Sequence, residues 1–139
     1  MAAPLLYRAW VAASALALPF AARQSVAKLC RAGVEVPRAH EKLGHATLPR
    51  PEGKLIWFHA ASVGESLSVL ALIDRMGRAL PDAHFLITSG TATSAKLVGS
   101  RLPPRSFHQF APLDAPGPLK RFLDHWRPDA ALFVESELW

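Results

Sequence analysis

The sequence predicts an α/β fold in which helices flank a parallel β-sheet. Four short apolar runs have the length and composition of buried strands: Leu55–Ala60, His84–Thr88, Ser106–Phe110 and Ala130–Val134. Three longer segments with apolar residues at helical spacing separate these runs. Strands that alternate with helices form βαβ units, whose crossovers are right-handed and whose strands are parallel. This alternation therefore indicates one sheet of parallel strands.

An apolar and basic segment, residues 1–31, precedes the predicted sheet. The 14 residues from Ala9 to Ala22 are apolar apart from Ser14, with cationic residues on both sides. A helix needs roughly 20 apolar residues to cross a bilayer, and Pro19 weakens the end of this stretch. A spanning helix and an interfacial anchor both remain open. A cleaved signal peptide and a helix packed on another part of the protein are the alternatives.

The excess of positive charge lies in the N-terminal part of the chain. Residues 1–54 hold eight Lys and Arg against three Asp and Glu, whereas residues 55–139 hold eight against eight. A basic N-terminal segment followed by a neutral domain is typical of proteins that bind an anionic membrane surface. Nucleic-acid binding would instead require a band of basic residues on the folded domain. A single cysteine, Cys30, excludes an intramolecular disulfide and suits a reducing compartment.

A connector, residues 32–54, is rich in proline and glycine and contains a short predicted helix near residues 38–43. Residues 55–139 then form the predicted α/β domain. Its first helix covers residues 64–80, with Val69, Leu70, Ile73, Met76 and Leu80 on one apolar face. Its second helix covers residues 93–102 and stops before two prolines. The third begins after Asp114, a good N-cap, and places Leu119, Phe122, Leu123 and Trp126 on one face.

A carboxylate, Glu65, lies where the first strand turns into the first helix, a place where α/β proteins often carry their chemistry. The run from Ser62 to Glu65 also has the pattern of a capping box, in which each residue bonds the backbone amide of the other. From these residues alone, the structural role of Glu65 is the favoured interpretation. Gly64 permits a close backbone approach beside it.

Four ordered motifs resemble the N-terminal half of 3-deoxy-D-manno-octulosonic acid (Kdo) transferases. They are Ala60–Ser66, Thr88–Ser94, Gln109–Asp114 and Glu135–Trp139. The resemblance implies a GT-B architecture of two Rossmann-like domains facing a cleft, of which residues 55–139 form the acceptor-side domain. It also implies transfer of Kdo from CMP-Kdo to a lipid A precursor (lipid IVA), with inversion and without a metal or other cofactor.

The resemblance assigns roles to individual residues. It makes Glu65 the general base on the acceptor hydroxyl and Glu135 a group that stabilises the transition state. Ser62, Gly64, Ser89, Gly90 and Thr91 are candidate substrate contacts. Residues 88–94 supply hydroxyls and a glycine just before a helix N-terminus, a place that suits anions, although capping of the second helix explains these hydroxyls at least as well.

The remaining polar and aromatic residues are interpreted as structural. No spacing of Cys and His predicts a metal site. His59 and three of the four tryptophans, Trp57, Trp126 and Trp139, are interpreted as packing residues, and Asp114 as a helix cap.

In this reading CMP-Kdo is bound mainly by a second, C-terminal domain that lies beyond Trp139. The chain alone is therefore expected to have little or no activity. The enzyme is expected at the cytoplasmic side of the cell inner membrane. The alternative is a non-catalytic, membrane-associated α/β module that binds anionic lipid through residues 1–54.

Overall fold

The computed structural model describes residues 3–134 and has a parallel sheet at its centre. The strands are β1 (Leu55–Ala60), β2 (His84–Ser89), β3 (Ser106–Phe110) and β4 (Ala130–Val134), in the spatial order β3-β2-β1-β4. The helices are α1 (Leu5–Arg31), α2 (Val36–Ala39), α3 (Val63–Ala79), α4 (Ala92–Gly99) and α5 (Pro116–Trp126), and a 3-10 turn (His40–Leu43) follows α2. Each strand pair is parallel. The predicted fold class is therefore confirmed.

Two apolar layers cover the two faces of the sheet, because successive strand residues point to opposite sides. On one face Phe58 of β1 and Phe85 of β2 pack with Ile73 of α3. On the other face Trp57 packs with Phe122 of α5 at a ring-centroid distance of 4.8 Å. Burial of each such side chain stabilises the fold by about 1.5–3 kcal/mol. These layers hold the carboxyl ends of the strands in fixed positions.

Helix α1 is longer than the predicted apolar stretch. It continues through Pro19 to Arg31, because its last turns pack on the fold through Val26, the buried Leu29 and Cys30. Its 27 residues correspond to a length of about 40 Å. Within residues 3–134 it is the one helix that is long and apolar enough to cross a membrane. Only 6% of its most apolar 18-residue stretch is buried within the protein.

The connector packs against α5. Gly44 has φ of 86°, and a Cβ atom there would lie 2.1 Å from the carbonyl oxygen of Pro118, so the turn requires glycine. The guanidinium of Arg50 donates to the carbonyl oxygens of Trp126 and Arg127. These contacts hold residues 44–50 against α5.

Several details of the predicted helices are wrong. The second helix, α4, ends at Gly99 and not at residue 102. The N-cap of α5 is Ala115 and not Asp114, because Pro116 occupies the first helical position and shifts the start by one residue. Leu123 is 44% exposed, since the buried stripe of α5 runs at four-residue intervals through Pro118, Phe122 and Trp126. Leu80 follows the end of α3 and is also 44% exposed.

Candidate functional site

The order of the strands identifies one edge of the sheet as the candidate site. From β1 the chain moves outward through β2 to β3, and β4 then returns to the other side of β1. The direction in which successive strands are added to the sheet thus reverses between β1 and β4, and open α/β sheets bind ligands in the crevice at such a switch point, at the carboxyl ends of the strands. The register pairs Ala60 with Val134 at this edge. Glu65 follows β1 and Glu135 follows β4 in the sequence.

Glu65 lies in the first turn of α3 and forms the predicted capping box with Ser62. One carboxylate oxygen, Oε2, accepts hydrogen bonds from the backbone amides of Ala61 (2.9 Å) and Ser62 (3.1 Å). The Ser62 hydroxyl accepts a hydrogen bond from the Glu65 amide at 3.1 Å. The structural interpretation of this pair is thus confirmed. The side chain of Glu65 is half-buried.

The cap and a catalytic role for Glu65 are compatible. The two amide hydrogen bonds are made by one oxygen and orient the carboxylate at the positive end of the α3 dipole. A general base requires a carboxylate held in a fixed position within reach of the acceptor hydroxyl. Gly64, beside Glu65, is exposed, and a Cβ atom built there would have no neighbour within 4 Å. The backbone at this position is therefore open to an approaching acceptor. The catalytic role itself stays a prediction.

Two other predicted site residues gain no support from the structure. Glu135 lies outside the described residues, as do Glu137 and Trp139. Ser89 is fully buried, and its hydroxyl is 2.8 Å from Nε2 of His108. Its position in the interior does not favour the predicted substrate contact.

The loop between β2 and α4 carries a second helix cap. The Thr91 hydroxyl accepts a hydrogen bond from the Ser94 amide at 3.1 Å and donates to the Ser94 hydroxyl at 2.9 Å. The alternative role of these hydroxyls, capping of the second helix, is therefore confirmed for Thr91. A Cβ atom on Gly90 would lie 3.7 Å from the ammonium nitrogen of Lys42. Substrate contacts by Gly90 and Thr91 stay predictions.

His59 was interpreted as a packing residue, yet the structure places it at the edge of a cavity. Its Nδ1 is 2.9 Å from the hydroxyl oxygen of Thr88, which also accepts a hydrogen bond from the Trp57 indole at 2.9 Å. The same hydroxyl donates to the Phe58 carbonyl at 3.5 Å. Thr88 of β2 thus contacts both Trp57 and His59 of β1.

The cavity beside His59 has a volume of about 320 Å³ and lies on the α5 side of the sheet. Trp57, Pro112, Asp114 and Phe133 line it together with His59. Its volume lies at the lower end of the range of small-molecule sites. Asp114, which does not cap α5, contributes an exposed carboxylate to this cavity. Sequence analysis interprets both polar residues as structural, His59 as a packing residue and Asp114 as a helix cap, because their shared cavity depends on tertiary packing.

A buried polar network joins Glu41 and Arg38 to β3. Sequence analysis did not predict it. The fully buried Glu41 accepts two hydrogen bonds from Arg38 and one from the Phe110 amide at 3.3 Å. Arg38 also contacts Nδ1 of His108 at 2.8 Å. Burial raises the pKa of Glu41, although Arg38 opposes the shift. Arg38 and Glu41 lie one helical turn apart, and this spacing is the signal of their ion pair in the sequence. It does not reveal that the pair also contacts His108 and Phe110, about 70 residues away.

No metal centre is found in the part of the chain that the structure describes. Residues 3–134 contain no group of three or more His, Cys, Asp or Glu side chains arranged to hold a metal ion. The expectation that the reaction needs no metal stays a prediction.

Comparisons with known proteins agree on one family. The sequence profile of the 3-deoxy-D-manno-octulosonic-acid transferase (kdotransferase) family matches residues 37–139. A protein of Arabidopsis thaliana named probable 3-deoxy-D-manno-octulosonic acid transferase, mitochondrial, is 41% identical over 71% of this chain and 22% of its own length. The 3-deoxy-D-manno-octulosonic acid transferase of Rickettsia felis is 48% identical over 61% of this chain and 18% of its own.

A more distant relative extends the match slightly. The Haemophilus influenzae protein of the same name is 32% identical over 76% of this chain and 26% of its own length. The chain therefore spans about a fifth to a quarter of the length of these relatives. No solved structure matches the chain significantly.

Proposed function

Because the chain belongs to the 3-deoxy-D-manno-octulosonic acid transferase family, we propose that it forms part of an enzyme that transfers Kdo from CMP-Kdo to a lipid A precursor. The observation that carries this proposal is the position of Glu65. Its carboxylate is oriented by two backbone amides beside the switch point of the parallel sheet. The relatives carry the name of the same activity.

In the proposed reaction an acceptor hydroxyl of the lipid A precursor attacks the anomeric carbon of Kdo. The carbon–oxygen bond to the CMP phosphate breaks, CMP leaves with the bonding electrons, and Glu65 accepts the hydroxyl proton. Attack from the face opposite CMP inverts the anomeric centre. A sugar hydroxyl is a weak nucleophile, and a positioned base typically accelerates such a step by about 10²–10⁴-fold.

The donor is proposed to bind mainly outside the described residues. In the GT-B architecture of this family, the domain formed by residues 55–139 faces a second domain across a cleft. Cationic groups of the second domain would stabilise the departing CMP phosphate. Glu135 is proposed to stabilise the transition state from the carboxyl end of β4. The cavity beside His59 and Asp114 offers a place for part of the acceptor sugar.

Direct measurement of transfer tests this proposal. Full-length protein, CMP-Kdo and lipid IVA in detergent are expected to yield a product heavier by one or more Kdo units, with equivalent release of CMP, detected by mass spectrometry. A chelator is expected to leave the rate unchanged. No transfer, together with retained binding to anionic lipid, would instead support the non-catalytic membrane module.

Helix α1 is proposed to hold the enzyme to the cytoplasmic side of the inner membrane. Its exposed apolar residues include Leu5, Leu6, Leu16 and Phe20, each more than 70% exposed. Apolar surface of this extent on one helix marks a protein or membrane contact. Basic residues in its last turn, Lys28 and Arg31, suit an anionic leaflet.

Flotation with liposomes is expected to recover the full-length protein with anionic vesicles, and deletion of residues 1–31 is expected to abolish this. Hydrocarbon insertion persists at high salt, whereas charge contacts weaken, so a salt series distinguishes the two modes. Replacement of Lys120, an exposed lysine on α5 that pairs with Asp124, is a control that should float normally. Retention of flotation after the deletion would overturn the assignment of the anchor to α1.

A further inference from the structure

The charge of the cavity beside His59 indicates what kind of ligand it suits. Among the described residues that line it, Asp114 is the one acid, and neither a lysine nor an arginine is present. The donor CMP-Kdo carries a phosphate and a carboxylate, and the negative charge of Asp114 repels both. A sugar hydroxyl is neutral and donates hydrogen bonds to a carboxylate. The cavity therefore favours a neutral ligand that bears hydroxyl groups.

The carboxylate of Asp114 is placed to receive such a ligand. Asp114 is exposed, and the N-cap of α5 is Ala115 instead. Within residues 3–134 its carboxylate forms no ion pair. Hydrogen bonds to an ionised carboxylate are stronger than those between neutral groups, so this side chain can contribute affinity as well as orientation.

An aromatic ring forms another part of the cavity wall. Phe133 of β4 is 59% exposed. Its ring contacts Trp57 at a centroid distance of 5.1 Å and His59 at 5.9 Å, which fix its position. Ligand pockets combine such apolar faces with a few polar groups that set the orientation of the ligand. A pyranose ring has a matching shape, with C–H groups on its face and hydroxyl groups at its edge.

The cavity also lies at the strand end that carries the proposed base. His59 is the last residue but one of β1. The amide of Ala61, directly after β1, donates to Oε2 of Glu65 at 2.9 Å. Residues of an extended chain are about 3.3 Å apart, so His59 and Ala61 are separated by about 7 Å. A sugar ring in the cavity is therefore adjacent to the end of β1 at which Glu65 is held.

We propose that the cavity formed by Trp57, His59, Asp114 and Phe133 binds the glucosamine ring of the acceptor. The apolar face of the sugar packs on Phe133, and a hydroxyl group donates to Asp114. This inference rests on the proposed transfer function for the identity of the sugar. It makes Asp114 and Phe133 determinants of acceptor specificity, because the same negative charge excludes the acidic donor sugar from the cavity.

Steady-state kinetics of the full-length protein test this subsite. At saturating CMP-Kdo, Asp114→Asn is expected to raise the KM for lipid IVA about tenfold, the effect of losing a charge-assisted hydrogen bond. The kcat and the KM for CMP-Kdo should keep their wild-type values. Asp124→Asn removes an exposed carboxylate that pairs with Lys120 on the same helix and should change nothing. An unchanged KM for lipid IVA in Asp114→Asn, or an equal rise in the KM for CMP-Kdo, would overturn the assignment.

Two variants of Phe133 separate its ring face from its apolar character. Phe133→Tyr keeps the ring and should keep the wild-type KM for lipid IVA. Phe133→Leu keeps an apolar side chain without a flat face and should raise this KM several-fold. Thermal unfolding of both variants identifies any loss of folding. Equal KM values for lipid IVA in Phe133→Leu and the wild type would refute the contact between Phe133 and the sugar.

Binding in the absence of the donor distinguishes failure of the subsite from failure of the proposed function. The probe is the acyl-free β-1,6-linked disaccharide of N-acetylglucosamine, observed by saturation-transfer NMR with the full-length protein. We expect saturation of its ring protons by the wild type and about tenfold weaker binding to Asp114→Asn. Such binding without any transfer of Kdo would refute the proposed function and leave the subsite in place. Transfer of Kdo with no disaccharide binding, or with equal binding by the wild type and Asp114→Asn, would refute the subsite alone.

Discussion

Replacement of Glu65 with glutamine in the full-length enzyme is expected to lower turnover by about 10²-fold or more while leaving the fold intact. Glutamine fills the reciprocal position of a capping box as well as glutamate does. Its carbonyl oxygen can accept the hydrogen bonds that Oε2 now takes from Ala61 and Ser62. It cannot take a proton from the acceptor hydroxyl. Initial rates at saturating substrates and thermal unfolding are the two measurements.

Two further variants separate the cap from the chemistry. Glu65→Ala removes both functions, so it should lose activity like the glutamine variant and in addition cost about 1 kcal/mol of stability. Asp74→Asn removes a carboxylate from the same helix, where it forms an exposed ion pair with Arg78, and should retain normal transfer. Near-normal turnover by Glu65→Gln would leave Glu65 as a helix cap without a catalytic role.

The strands were predictable because each is a short apolar run bounded by turns or helices. Three of the four predicted strands have the observed bounds, and β2 extends one residue further, to Ser89. The capping box was equally readable, since Ser62 and Glu65 lie within one helical turn. Local periodicity and local hydrogen bonds are properties of a few neighbouring residues, so sequence alone reveals them.

The cavities and the buried network were not predictable in this way. The Trp57, Thr88 and His59 contacts join two strands through their register. The start of α5 depends on the competition between Asp114 and Pro116, and proline wins because its missing amide costs nothing at the first helical position. Partners far apart in sequence are set by tertiary packing, which no short pattern records.

The network around His108 gives the second large prediction. Arginine has no acceptor, so Nδ1 of His108 must accept from Arg38, and Nε2 donates to the Ser89 hydroxyl at 2.8 Å. The ring is therefore neutral in the folded chain. Burial lowers the pKa of His108 to about 3, and the charges of Arg38 and Lys42 contribute to the shift.

This shift makes folding sensitive to acid. An unfolded histidine takes up a proton below about pH 6.5, whereas the folded His108 stays neutral down to about pH 3. The unfolded state thus binds more protons in this window, and stability is lost as the pH falls through it. Between pH 7 and pH 5 the loss from this one group is about 2 kcal/mol.

Urea unfolding at pH 7 and pH 5, followed by tryptophan fluorescence, measures this effect against His108→Gln. The glutamine variant cannot titrate, so its free energy of unfolding should fall by about 2 kcal/mol less than that of the wild type over this range.

The raised pKa of Glu41 acts in the opposite direction, because its folded form holds a proton that the unfolded form releases as the pH rises. That contribution is present in both proteins and largely cancels in the comparison. His45→Gln, at an exposed position, should retain the wild-type pH dependence. Equal pH dependence in the wild type and His108→Gln would mean that His108 is not held neutral by Arg38 and burial.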